Sequence, residues 1–159
     1  MKGIYQPHIG FTLIFFLIFS SFKVPEAISP VKSDSGNTIT VIITNIRNKK
    51  GRIQLDLYKN QSEFEARKSD DKRRAYIDKS KISEGTTKYV YKNIPDGVYG
   101  LALLDDENNN NKIDYGWVLP KEGFGFGDYY HMKLSVPKFD NFKFYLKSDK
   151  TSTMIIRYM

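Results

Sequence analysis

Residues 52–59, "RIQLDLYK", constrain the fold most. Side chains of a β-strand alternate between two faces. Here Ile53, Leu55 and Leu57 share one face, and Gln54, Asp56 and Tyr58 share the other. The period is two, so the segment is expected as a strand with one buried and one wet face. "TITVIITNI" (38–46) is rich in β-branched residues, and "TTKYVYKNI" (86–94) and "NFKFYLK" (141–147) alternate again. "TSTMIIRYM" (151–159) is the expected last strand. "VYGLALL" (98–104) is apolar almost throughout, as for a strand covered on both faces or central in a sheet. "RNKKG" (47–51) and "PDG" (95–97) supply turns. About seven strands, short turns and almost no helical period predict an all-β fold, an antiparallel immunoglobulin-like β-sandwich.

The segments between the strands read differently. In "NQSEFEARKSDDKRRAY" (60–76), Ser62 ahead of Glu63 and Glu65 is expected to cap a helical turn anchored by Phe64. "YGWVLPKEGFGFGDYY" (115–130) reads as loop; its glycines are expected to let backbone pack tightly beside Phe124 and Phe126. The glycine spacing is wrong for a dinucleotide fingerprint, and no helix pattern follows.

The N-terminus fits export. Residues 10–22 are apolar but for Thr12 and the serines, behind a weak positive charge at Lys2. That length is short for a membrane span and right for a secretory signal. We expect residues 1–27 to be a cleaved signal peptide, or alternatively a retained anchor. Residues 28–37 are a polar lead-in, and 38–159 form the β domain. The expected location is periplasmic or secreted, with membrane contact only through an uncleaved N-terminal segment.

The chain has no cysteine, which excludes disulfides, thiolate metal sites, cysteine nucleophiles and a lipid-modified cysteine. Its formal charge is +7. The densest basic cluster, "KSDDKRRAYIDKSK" (68–81), is diluted by Asp70, Asp71 and Asp78. It predicts a solvated loop or edge strand and no nucleic-acid partner, which would need a focused stripe.

Chemistry concentrates in "DDENNNNKID" (105–114). Counted from Asp106, positions 1, 3, 5, 7 and 9 are Asp106, Asn108, Asn110, Lys112 and Asp114. These positions supply oxygens in a helix-flanked calcium loop, the seventh through its backbone carbonyl. Calcium takes six to eight oxygen ligands, so Asp and Asn are suitable types. Ile113 could pin the loop to the core. The twelfth position is Trp117, which cannot replace the usual bidentate carboxylate. Glu122 can do so if the "PKEG" turn folds back. Asp105 and Glu107 have the wrong parity for the same inward face. The alternative is a metal-free turn built from Asx side-chain bonds to backbone.

Other constellations are weaker. Trp117, Tyr129 and Tyr130 form either an aromatic platform for a sugar or peptide, or a lid over one end of the sandwich. His131 lacks an obvious serine or cysteine partner, and no residue is assigned as catalytic. The function expected is a non-enzymatic exported module acting on an unidentified envelope or extracellular ligand, with a loop stabilised by calcium. A carbohydrate- or peptide-binding accessory domain, and a hydrolase using the acidic loop, are the alternatives.

The succession "NIRNKKGRIQLDLYKNQSEF", "NIPDGVYGLALLDDENNNNKID", "LPKEGFGFGD" and a closing "IIRY" resembles a bacterial family of exported proteins, domain of unknown function family 2141. The likeness spans about residues 38–158. It implies a secreted or periplasmic β-sandwich with no established activity. "NIPDGVYGLALL" is also similar to a strand pair of transthyretin-like (prealbumin-like) and carboxypeptidase regulatory-like sandwiches. The family commonly carries His near Leu104 or Asp105, so no role for that His transfers. It commonly carries Gly where Asn109 and Asn111 stand. Here the turn must be made by Asn, which tolerates left-handed backbone.

Overall fold

The computed structural model describes Gly3 and residues 36–159. The expected signal or anchor (1–27) and most of the lead-in fall outside the described residues, as does any test of them. The chain divides into residues 1–31 and 32–159, and the strands of the described residues belong to the second unit. Among the described residues no helix is long and apolar enough to cross a membrane.

Eight strands form two sheets. The smaller sheet has order β4 (Thr87–Ile94), β1 (Asn37–Thr44), β8 (Lys150–Ile155). The larger has order β3 (Arg74–Asp78), β2 (Arg52–Tyr58), β5 (Gly97–Asp106), β6 (Gly123–Phe126). β7 (Lys143–Leu146) pairs with the first half of β5, and β6 pairs with its second half. The all-β sandwich expected from sequence is thus present, with one more strand than counted. The pairings are antiparallel except β1 with β8, which is parallel, Ile39 lying opposite Lys150.

The alternation of β2 explains the core. Ile53, Leu55 and Leu57 face the smaller sheet, where Ile39, Val41 and Ile43 of β1 meet them. Tyr91 of β4 reaches across and donates its O–H to the Leu55 carbonyl at 3.0 Å. Full burial of a Leu or Ile contributes roughly 1.5–3 kcal/mol, so this layer dominates the stability.

β5 is central, as its apolar run predicts: it has neighbours on both edges and packing on both faces. Its outer face meets an aromatic cluster built by Phe126, Phe139 and Phe142. Phe64, on the short helix α1 (Gln61–Glu65), enters that cluster, its ring 5.0 Å from Phe142. The anchor is the one expected, but the cap is not. Asn60 rather than Ser62 accepts the Glu63 amide, at 2.9 Å, because Asn60 is extended (φ −161°) and Ser62 already lies inside the helix.

Two further sequence readings need correction. "GFGF" (Gly123–Phe126) is a strand and not a loop, and Gly127 begins the turn after it. Added Cβ atoms at Gly123 and Gly127 would fall 2.4 Å from Tyr158 and 2.9 Å from Leu101, so this side of β6 lies flush on the core while Phe124 and Phe126 face outward. The basic cluster does include the edge strand β3, but it is not simply solvated: Arg73 and Lys79 are buried.

Candidate functional site

The expected wet face of β2 is not wet. Gln54, Asp56 and Tyr58 are all buried, because α1 and two long segments, 113–120 and 131–138, rise over the outer face of the larger sheet. They leave a cavity of about 670 Å³, within the usual range for small-molecule sites. Its floor is polar. The Asp56 carboxylate accepts from Ser69 Oγ (2.5 Å), Arg74 Nε (2.7 Å) and Gln54 Nε2 (2.8 Å). Burial raises the pKa of the Tyr58 phenol and the Asp56 charge adds to it, so Tyr58 keeps its proton. The walls are mixed: Leu104, Ile113 and Phe124 are apolar inside and Val118, Leu119 and Leu134 are apolar toward the mouth, where the exposed Arg67, Lys133 and Lys138 also stand.

Arg73 holds α1 against this face. It donates to Glu63 Oε2 (2.6 Å), Asp70 Oδ2 (2.7 Å) and the Leu57 carbonyl (2.8 Å). Its guanidinium keeps both the Glu63 and the Asp70 carboxyl below the usual carboxylate range.

The loop 105–122 borders the same cavity through Asn111 and Ile113. Its side-chain bonds follow the counted spacing. Asp106, fully buried, accepts the amides of Asn110 (2.9 Å) and Asn111 (3.0 Å). Asn108 accepts the Asn110 amide at 3.1 Å, and Asn110 accepts the Lys112 amide at 2.8 Å. Asp114 Oδ2 then collects the side-chain amides of Asn108 (2.5 Å) and Asn110 (3.0 Å). The "PKEG" turn does fold back: Glu122 is buried and accepts the amides of Glu107 (2.9 Å) and Asp114 (3.1 Å). It thereby closes the loop at both ends.

Asn109 and Asn111 both stand at φ 62°, the left-handed backbone expected of them. Gly51 of the neighbouring turn, at φ 66°, leaves no room for a side chain: a Cβ there would sit 2.0 Å from the Asp106 carbonyl. That contact lets Arg52 reach Asp106 (3.3 Å) and Asn111 (2.6 Å) while its guanidinium stacks on Tyr76.

The electrostatics of the loop are uneven. Burial pushes the Glu122 carboxyl above the usual range, and the charges of Asp114 and Asp106 push the same way. Burial also raises Glu107, but its bonds to Arg47 and Asn48 outweigh this and hold it low. Among the described residues no three His, Cys, Asp or Glu side chains are gathered to hold a metal by themselves. A cation here would need a mixed set of carboxylate, amide and carbonyl oxygens.

Asp105 and Glu107 point away from the loop interior, as their parity requires. Asp105 lies on the inner face, fully buried with Lys79, whose Nζ donates to it at 2.5 Å and to Asn48 at 3.1 Å. Tyr158 donates to the other Asp105 oxygen at 2.6 Å. Sequence reasoning missed Lys79, which sits in a 3-10 turn (Lys79–Lys81) among exposed lysines of the same type.

The aromatic candidates are dispersed. Trp117 is fully solvent-exposed, at 105%. Tyr129 is half-buried against Phe126, and Tyr130 is exposed. His131 is buried; its Nδ1 accepts from Tyr129 O–H at 3.2 Å, and its Nε2–H donates to the Ser135 carbonyl. With Arg157 donating to the carbonyls of His131 (2.6 Å) and Lys133 (3.0 Å), it fixes the 131–135 part of the cavity roof.

No curated protein and no solved structure matches the chain. The family described as "Uncharacterized protein conserved in bacteria (DUF2141)" matches residues 41–154.

Proposed function

The chain belongs to the DUF2141 family, and from that premise we propose that it is an exported, non-enzymatic β-sandwich module of the bacterial envelope or exterior, which binds a ligand beside a calcium-stabilised loop. Export rests on the signal-like residues 10–22. The calcium reading rests on one observation: the side-chain amides of Asn108 and Asn110 converge on the Asp114 carboxylate (2.5 and 3.0 Å), while Asp106 and Asn108 oxygens share the Asn110 backbone amide (2.9 and 3.1 Å), so the four side chains gather on one side of the loop.

In this reading Asp106 and Asp114 supply charge, Lys112 its carbonyl, and the two asparagines their amide oxygens. An Asn turned end for end presents oxygen where it now presents nitrogen. That makes five protein ligands, and Glu122 or water completes the six to eight calcium prefers. The cation would relieve the repulsion that Asp106 and Asp114 exert on Glu122. It would also stiffen Ile113 and the wall segment behind it. Sites of this kind outside cells work at dissociation constants on the order of 10⁻⁴ to 10⁻³ M.

Thermal unfolding in EDTA and in excess calcium tests the reading. At calcium tenfold above a millimolar dissociation constant, binding stabilises the fold by about 1.4 kcal/mol. Wild type should melt several degrees higher in calcium, and Asp114→Ala should not respond. An unchanged melting temperature in wild type would sink the proposal.

A further inference from the structure

We infer that the roofed cavity on the outer face of the larger sheet binds a small uncharged amphiphile, whose hydrogen-bond donor meets the side-chain oxygen of Gln54 and whose apolar body covers the exposed roof residues. This rests on the reading of the chain as a binding module and requires no cation in the neighbouring loop.

The argument begins at Gln54. Its Nε2 donates to Asp56 Oδ2 at 2.8 Å. An ionised carboxylate only accepts, so this bond fixes which end of the amide is which. Among the described residues Oε1 is left buried without a partner. A buried acceptor without a partner costs roughly 1–3 kcal/mol, and native proteins seldom keep one without use. Gln54 lines the cavity floor, so a small rotation of its side chain would present Oε1 to a molecule held there.

The floor also states what the donor group should be. Asp56 already has three partners, one of them the cation Arg74, so it does not call for a second positive charge. An ionised carboxylate would bring acceptors against Gln54 and Asp56. A neutral hydroxyl or amide N–H fits.

The remainder of the space asks for an apolar body. The volume corresponds to on the order of twenty liquid waters, and the stretch of wall formed by Leu104, Ile113 and Phe124 offers those beside it no partner. Val118 and Leu134 at the mouth are 78% and 72% exposed. Contiguous exposed apolar side chains beside a cavity mark a surface that becomes covered. A free sugar would leave them bare.

The test titrates 1-octanoylglycerol, its di-O-methyl ether and octanoate, each below its micelle concentration, in EDTA and again in calcium. Isothermal calorimetry gives the affinities. The expected result is that 1-octanoylglycerol binds at least tenfold tighter than either of the others, and that Gln54→Met removes the preference over the ether. A melting curve shows that the variant folds, since Asp56 keeps Ser69 and Arg74. Equal affinity for the glycerol ester and its ether in wild type, binding of none of the three, or a preference that survives Gln54→Met would each overturn the inference. A missing calcium response with this preference intact would remove only the metal reading.

Discussion

The larger sheet is buried on both sides, but with different materials. Its inner side is aliphatic and closely fitted: Ile53, Leu55, Leu57, Leu101 and Leu103 meet β1, β4 and β8. Even its charges are paired, Lys79 with Asp105. Ser152 Oγ is unpartnered in its present rotamer, yet Asp128 lies close enough to use it. The outer side is aromatic at one end and hollow at the other, with a polar floor carrying an acceptor that nothing among the described residues satisfies. The same strands, β2 and β5, serve both sides. One face therefore supplies stability, and the other is free to be shaped by the loops above it.

The contrast can be broken hardest at its charged pair. Lys79→Met leaves Asp105 buried with only Tyr158 to meet it. Removing one partner of a buried pair costs about 3–5 kcal/mol, so urea unfolding should show a loss of that size. A loss below about 1 kcal/mol would mean that water reaches Asp105.

A matched pair of substitutions probes the two faces more directly. Leu101→Ala opens the inner layer and should cost about 2–5 kcal/mol. Gln54→Leu removes a charge-assisted bond together with the unmet acceptor, so the net change should stay within about 1 kcal/mol. Comparable losses from the two would erase the distinction between the faces.

The smallest effect is a matter of pH. Arg73 lowers the folded-state pKa of Glu63 and Asp70. Their contribution is therefore present above the unfolded carboxylate values and is lost as pH falls through the lowered folded values. Hydrogen exchange between about pH 6 and about pH 3 should show α1 amides losing protection while β1 amides keep theirs. Simultaneous loss in both would show that Arg73 supports the whole sandwich and not the outer side alone.

Much of the inner side was legible in the sequence. The period of two in "RIQLDLYK" assigned Ile53, Leu55 and Leu57 to the core, and the apolar run of β5 announced a strand covered on both faces. The outer side was not. Alternation tells which residues share a face, but not whether a segment sixty residues later roofs it. Gln54 and Asp56 were taken for solvent-facing groups on that account. "GFGF" carried the same period and could have been recognised; glycine's association with loops hid it. Lys79 offered no signal, since its partner Asp105 is 26 residues away in sequence. In the acidic loop, spacing and parity anticipated which side chains turn inward, and the fold-back of Glu122. The engagement of Glu122 with backbone amides depends on contacts that spacing does not encode.

The parallel pairing of β1 with β8 carries a kinetic consequence. The first strand of the domain is completed by the last, and Asn45 bonds to the Ile156 carbonyl across 111 residues of chain. Pairings of such high contact order form slowly. The smaller sheet cannot be finished until β8 has been synthesised, so the chain has an interval in which this side of β1 remains an open edge. The strand that locks the sandwich is thus the last of the eight to arrive.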